Sequence, residues 1–288
     1  MKQFTTILLL SLLFNFQTFG QENGKFNSLE EALKQKENVI YLDLQNHNLT
    51  DIPNQITEFK NLKTLDLSFN KISKIDINTK LPNSLEILLL SNNLLTEFNL
   101  IYLENLKSLS LSNNNLKSIN ENIGKFSELF QLHLDGNKLE EIPNSIGNLK
   151  NLYWLHIDGN QLTTLPKNIG KLKTLQALIA TNNNITFIPV SILKLKNLTA
   201  IELSHNKITT VPKELLFSNL ENINLSNNNI ENLDNLIPNF NSKAVINLTK
   251  NPLNIEYELV RSKYPNVTFL FNYNDFRFNG IIMEQQSE

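Results

Sequence analysis

The apolar residues of this chain fall into a single frame that repeats along most of its length. The clearest copy is residues 152–166, LYWLHIDGNQLTTLP. Leu152 is followed by Leu155 after three residues, Ile157 after two, Asn160 after three and Leu162 after two, and Leu165 and Pro166 close the stretch. Leu155 and Ile157 are two apart and so project from one face of an extended segment, with Trp154, His156 and Asp158 on the other. The frame predicts a short strand with an apolar inner face, a bend at the Asn, and a return leg.

The position of Asn160 is filled in succession by His47, Asn70, Asn93, Asn114, Asn137, Asn160, Asn183, Asn206, Asn228 and Asn251. The steps between them are 23, 23, 21, 23, 23, 23, 23, 22 and 23 residues. Ten turns of one coil follow. A side-chain amide both donates and accepts, so an Asn buried at each bend satisfies backbone groups of adjoining turns, and a stack of them forms a ladder. His47 departs from the ladder, as a terminal repeat does.

On the return side, Ile142-Pro143, Ile146-Gly147 and Leu149 of one turn match Leu165-Pro166, Ile169-Gly170 and Leu172 of the next. Proline has a fixed φ and no N–H to donate, which predicts short helical turns or irregular segments there. Turns three and four, across residues 75–106, lack the Ile-Gly pair, and the return side is expected to be least regular there. Upstream, Ser28 stands three residues before Glu31, with Leu29, Ala32 and Leu33 at helical spacing, a capping box that opens a short helix. A solenoid has open apolar ends that must be covered. Residues 21–38 are therefore read as an N-terminal helical cap and 39–253 as the repeats. Residues 255–263 read as helix, Pro265 ends it, and 267–271 read as a closing strand. This makes 254–280 the expected C-terminal cap and 281–288 a flexible tail.

Nine near-complete copies of the frame make the chain similar to the leucine-rich repeat superfamily. Within it, the chain resembles the class of roughly 23-residue repeats with I-P-x-x-I-G-x-L return segments, of the bacterial exported type. The resemblance covers residues 39–253. It implies an α/β fold, a curved horseshoe solenoid with a parallel β-sheet on the concave face, a helical or irregular convex side, and capped ends. In that family the concave face binds proteins, peptides or glycans, and the resemblance implies such a partner here.

Residues 1–20, MKQFTTILLLSLLFNFQTFG, join a basic start to an apolar block at 7–14 and a small residue at Gly20, the pattern of a secretory signal peptide cut before Gln21. The block is far shorter than the ~20 residues that span a bilayer, so no transmembrane anchor is expected. The destination is the cell envelope or the medium. With no cysteine in the chain, disulfides, thiolate metal sites and thiol nucleophiles are excluded.

Specificity in this architecture falls to the outward strand positions. Most are small or polar, but turns five to seven place Phe130, His133, Tyr153, Trp154, His156 and Ile179 on neighbouring strands, about 4.8 Å apart. Exposed aromatic side chains bury much area at little entropic cost and are enriched where partners dock. With Asp158, these residues form the candidate partner-binding site, and Trp154 is its centre. His133-Leu134-Asp135 and His156-Ile157-Asp158 repeat one motif in adjacent turns, with all four polar side chains expected to face solvent. Asp followed by Gly-Asn is turn chemistry, so neither a metal nor a cofactor is assigned. Ile87 and Leu89 read as packing beneath the loops of turns three and four rather than as a second contact patch.

The outward acids Asp43, Asp66, Glu86, Asp135, Asp158, Glu202 and Glu221 outnumber the bases Lys63, Lys107 and Lys250, a balance that repels nucleic acid. No nucleophile stands with a visible base and orienting acid, and there is no phosphate-binding Gly-rich loop. The pattern points to an exported, non-enzymatic binding protein that holds a protein, peptide or glycan on its concave face. A structural or surface-coat protein without a dedicated ligand is the alternative. The recognition arm of an enzyme complex is a further one, although the roughly 35 residues after the last repeat are too few for a catalytic domain. Nothing in the pattern indicates an oligomeric state.

Overall fold

The computed structural model describes residues 24–234, 236–237 and 242–271. The expected signal peptide at 1–20, the tail at 281–288 and the 272–280 part of the expected C-terminal cap lie outside the described residues.

Each turn contributes one short strand. In chain order these are β1 (Lys25–Phe26), β2 (Tyr41–Asp43), β3 (Thr64–Asp66), β4 (Lys74–Ile75), β5 (Ile87–Leu89), β6 (Glu97–Phe98) and β7 (Ser108–Ser110), then β8 (Gln131–His133), β9 (Trp154–His156), β10 (Ala177–Ile179), β11 (Ala200–Glu202), β12 (Asn222–Asn224), β13 (Val245–Asn247) and β14 (Thr268–Leu270). Twelve of them form one parallel sheet that runs in sequence order, omitting only β4 and β6. The register is unbroken, so that Ser108, Gln131, Trp154, Ala177 and Ala200 lie in one rank and Ser110, His133, His156, Ile179 and Glu202 in another. The central residue of each strand, Leu132, Leu155 and Leu178 among them, is fully buried. The interior is a column of Leu and Ile, with Phe59 and Phe126 as its largest fully buried side chains.

The bend after each strand depends on a left-handed residue immediately before the ladder Asn. Asn46, Phe69, Asn92, Asn113, Gly136, Gly159, Asn182, His205, Asn227 and Lys250 all have φ between 52° and 62°. Asn and Gly tolerate this region at little cost, whereas a bulky side chain such as Phe69 is strained there. Each ladder Asn then closes the bend on both sides. The Asn160 Nδ2 donates to the carbonyls of Leu134, Ile157 and Asp158, at 3.0, 3.1 and 3.1 Å, and its Oδ1 accepts from Leu139 N at 2.9 Å. Asn70 to Asn251 repeat the pattern, and each ties its own turn to the one before. His47 is exposed and sits outside the ladder, with Nδ1 2.8 Å from the Gln45 carbonyl.

Six return legs hold 3₁₀ turns, at Asn54–Glu58, Glu121–Lys125, Asn144–Asn148, Lys167–Lys171, Val190–Lys194 and Leu215–Phe217, the first and the third to fifth directly preceded by Pro53, Pro143, Pro166 and Pro189. Gly147 sits where these turns stack closely, since a Cβ there would lie 2.7 Å from the Asn168 carbonyl oxygen. Turns three and four differ, as their missing Ile-Gly pairs suggest. Their return legs pair as β4 and β6 in a separate two-stranded parallel sheet. The segment expected to be least regular is thus regular in another way, through hydrogen bonds between neighbouring legs. Ile87 and Leu89 are not part of the hydrophobic core. They lie half-buried on the face of β5, between Thr64 and Ser108 and between Asp66 and Ser110, which corrects the reading that they pack beneath the loops.

At one end of the sheet, helix α1 (Leu29–Lys34) begins at Ser28, whose side chain accepts from Glu31 N, and Ala32 is buried in the core. At the other, α2 (Tyr257–Lys263) leads into β14, with Tyr264, Val267, Phe269 and Phe271 buried. Among the described residues no helix is long and apolar enough to cross a membrane.

Candidate binding face

Side chains at the first and third positions of each strand, with the residue just before the strand and the one two places after it, form the solvent-facing surface of the sheet. At β8 and β9 this surface becomes aromatic. Phe130 and Tyr153, each preceding its strand, stack with ring centroids 4.8 Å apart at 21°. Trp154 stands edge-on to both, 5.8 Å from Phe130 and 5.1 Å from Tyr153. Such pairs are each worth about 0.5–1.5 kcal/mol beyond area burial, so the three rings hold one another in place as a ledge. All three remain half-buried and accessible. The Tyr153 hydroxyl is anchored by a hydrogen bond to Gln176 Oε1 on the next turn.

One rank further on, His133 and His156 lie on adjacent strands with ring centroids 4.5 Å apart at 30°. They face the sheet surface as the sequence implies, but they are half-buried, not fully solvated. The cause is tertiary, because the flanking turns crowd a rank only one strand spacing wide. Burial lowers both imidazole pKa values. His156 falls to about 3 through burial, with the His133 charge adding to it, while Asp135 partly opposes the shift on His133. The pair is therefore neutral at pH 7, able to donate and accept without carrying charge.

The acids of the two motifs follow the same logic. Asp135 accepts from Ser112 Oγ at 2.6 Å. Burial, reinforced by the Asp135 charge, pushes the Asp158 carboxyl up to about 6. Two turns on, burial raises Glu202 to about 7 against the opposing hydrogen bond from Asn224. Among the described residues, none of Asp135, Asp158, Glu202 and Glu221 forms an ion pair. The contrast is with Glu86 at the other end of the face, which is paired to Lys107 at 2.7 Å and Lys63 at 2.8 Å, contacts that lower its pKa. At the N-terminal end, burial pushes Tyr41 up to about 12, helped by Asp43 and Asp66.

The structure thus gathers Phe130, His133, Tyr153, Trp154, His156 and Asp158 onto one continuous patch, with Ile179 half-buried beside His156 in the same rank. Two residues join that spacing alone did not single out. Glu202 extends the rank beyond Ile179. Gln131, in the rank of Trp154, is 9% exposed, accepts from Ser108 Oγ at 3.3 Å through Oε1, and leaves its buried Nε2 without a hydrogen-bond partner. No sequence signal marks an orphaned amide, since orphaning depends on which neighbours fail to reach it. Among the described residues no three His, Cys, Asp or Glu side chains come together as metal ligands.

Two family models match the chain. One, described as leucine rich repeat, matches residues 104–162 and 150–208, and a second of the same description matches 61–80. The chain is built of leucine-rich repeats, and its fold is that of a leucine-rich repeat solenoid with the parallel sheet on the concave side. Its relatives include human oligodendrocyte-myelin glycoprotein, 38% identical over 87 residues that make up 29% of this chain and 19% of that protein. Chicken Toll-like receptor 2 type-1 is 36% identical over 110 residues, 37% of this chain and 14% of the receptor. The chain therefore spans a fifth or less of the length of these curated relatives. Among solved structures, the ectodomain of the Arabidopsis thaliana membrane receptor kinase GASSHO1/SCHENGEN3, in complex with CASPARIAN STRIP INTEGRITY FACTOR 2, superposes with a TM-score of 0.55 at 29% identity, covering 77% of this chain and 31% of that one. An internalin from Listeria monocytogenes superposes with a TM-score of 0.67 at 18% identity, covering 85% and 71%, a likeness of fold.

Proposed function

We propose that this is an exported, non-enzymatic recognition protein that binds a protein or peptide partner on its concave face, centred on Trp154. The observation that carries the reading is the ledge of Phe130, Tyr153 and Trp154, three mutually supported rings on a sheet surface where most other positions are small or polar, Ile87 and Leu89 on β5 being among the exceptions. Rigid aromatic side chains of this kind dominate binding energy where partners dock. The relatives add support, since one of the structural neighbours is a receptor ectodomain in complex with a named factor.

The test compares the tagged full-length chain with a Trp154→Ala/Tyr153→Ala double variant, crosslinking each to intact cells and identifying what it holds. Losing a central aromatic anchor costs about 2 kcal/mol or more, roughly a thirtyfold loss of affinity, so the variant should release its partner. A variant that retains the same partner in full places the site elsewhere. Export rests on residues 1–20, and N-terminal sequencing of the protein recovered outside the cytoplasm is expected to start at Gln21. Recovery with Met1 intact would remove the leader from the reading.

A further inference from the structure

From β8 to β12 the sheet face carries acids without cations, while the bends and return legs carry all of the lysines together with Glu140, Glu141 and Glu214. Across β8 to β12 the surface positions carry Asp135, Asp158, Glu202 and Glu221 and not one Lys or Arg. All nine lysines between Gln131 and Asn224, such as Lys150, Lys167, Lys173 and Lys213, lie on the bends and return legs, and every one is exposed. The overall charge of −2 hides this division. The acids of the face are half-buried, except the more exposed Glu221, and lack cationic partners, whereas the comparable Glu86 has two. A half-buried carboxylate without a counter-charge has lost hydration that single hydrogen bonds, such as those of Ser112 to Asp135 and of Asn224 to Glu202, replace only in part.

The second observation is Gln131. Its amide nitrogen is a buried donor with no acceptor, directly after Phe130 of the aromatic ledge and opposite Trp154 on the next strand. Buried donors are nearly always satisfied. The terminal torsion of a Gln side chain is broad and easily turned, so a carbonyl arriving on the face can supply the missing acceptor.

We propose that the occupant of the concave face is an extended basic polypeptide. Its Lys or Arg side chains pair with Asp158 and Glu202 beside the faces of Trp154 and Tyr153, and one of its backbone carbonyls accepts from Gln131 Nε2. This deepens the reading above and rests on it. Each element asks for a different part of the same ligand. The carboxylates need cations, the rings provide flat faces that attract ammonium or guanidinium groups, and the orphaned amide needs a carbonyl. A neutral glycan supplies no cation. The raised carboxyl pKa values add a signature, because a bound cation favours the ionised forms and binding must release protons near pH 6–7.

The experiment pans a random dodecapeptide display library against the immobilised full-length chain, an Asp158→Asn/Glu202→Gln variant and a Trp154→Ala variant, after thermal melting has shown all three to be folded. The wild-type pool is expected to be enriched in Lys plus Arg by about threefold over the starting library, and the Asp158→Asn/Glu202→Gln pool to lose that enrichment. A synthetic peptide of the recovered consensus is expected to bind the double variant at least roughly tenfold more weakly, and the wild type more tightly at pH 8 than at pH 5.5. No recovered peptide, no Lys/Arg enrichment, or the same enrichment on wild type and charge variant each overturns the proposal. Sedimentation showing self-association that the charge variant abolishes would give the face to a second copy of this chain and also overturn it. The two readings are separable. Peptides lost on Trp154→Ala but without basic enrichment defeat the inference and leave the aromatic site standing, and the same peptides on Trp154→Ala and wild type defeat the aromatic site.

Discussion

Several residues of the candidate face are ionisable groups held away from water. Glu202 shows the consequence with a definite sign. Its folded-state pKa of about 7 lies above its ordinary value of 4.5 because burial disfavours the charged form. The folded chain therefore holds this proton more tightly than the unfolded chain, and stability is lost as pH rises from 4.5 through 7. Glu202→Gln removes the cost, so the variant should melt at the wild-type temperature at pH 4 and above it at pH 8, with the gap opening across that window in calorimetric scans. A gap of constant size at every pH would show that the carboxyl is not desolvated. His156 works in the opposite direction. Its depressed pKa means that stability is lost as pH falls from 6.5 towards 3, where the unfolded chain takes up the proton first. Acid conditions therefore charge the imidazole pair only by unsettling the patch that carries it.

At the scale of the element, the repeat is held together by its Asn as much as by its leucines. Asn160 makes four hydrogen bonds, three as donor and one as acceptor, all but that to Asp158 buried, and they join adjoining turns. Truncation leaves backbone groups such as Leu139 N buried without a partner, and each orphan costs about 1–3 kcal/mol. Asn160→Ala should therefore lower unfolding stability by about 3 kcal/mol in urea titrations. Asn251, at the end of the ladder, is only part-buried and should cost about half as much when truncated to Ala. Equal losses at both positions would argue that the ladder contributes through local bend geometry and not through burial. The left-handed residue before each Asn belongs to the same device. Its identity varies from Gly to Phe because the conformation is imposed by the Asn bonds on either side, even where the side chain resists it, as at Phe69.

Along the described residues each turn packs chiefly on its neighbours along the axis, with strand on strand and 3₁₀ turn on 3₁₀ turn. Stability in such a coil is approximately a sum over repeats and their interfaces. Deleting residues 207–228 removes one 22-residue period, including β12, and joins Asn206 to Asn229 in the same frame. The shortened chain should still fold cooperatively by circular dichroism and retain the partner captured through Trp154. Deleting only 207–217 shifts the frame by half a turn and faces leucines outwards, so it should not fold. A half-turn deletion as stable as the full-turn one would contradict the one-dimensional account. The same architecture explains the placement of the lysines. Surface positions of the sheet and the return legs lie on opposite sides of a thin apolar column, so from β8 to β12 the lysines are kept away from Asp158 and Glu202, while Glu140, Glu141 and Glu214 stay on the side of the lysines.

The coil was legible in the sequence because its causes are local and periodic. A Leu or Ile at fixed spacing and an Asn at all bends but the first recur from turn to turn, a Pro heads about half of the return legs, and repetition makes the signal unmistakable. Part of the aromatic patch was legible too, since strand alternation sends Trp154, His133 and His156 outwards, whereas Phe130 and Tyr153 precede their strands and the stacked turns bring their rings beside Trp154. What the tertiary structure decided depends on distances between turns that no spacing encodes. It half-buried His133 and His156 against each other, left Gln131 Nε2 without an acceptor, and paired β4 with β6 where helical turns were absent. It also denied Asp158 and Glu202 the lysines that Glu86 enjoys. Periodicity tells which way a side chain points. Hydration, pairing and charge depend on what the adjoining turn brings within reach, and only the stacked coil determines that.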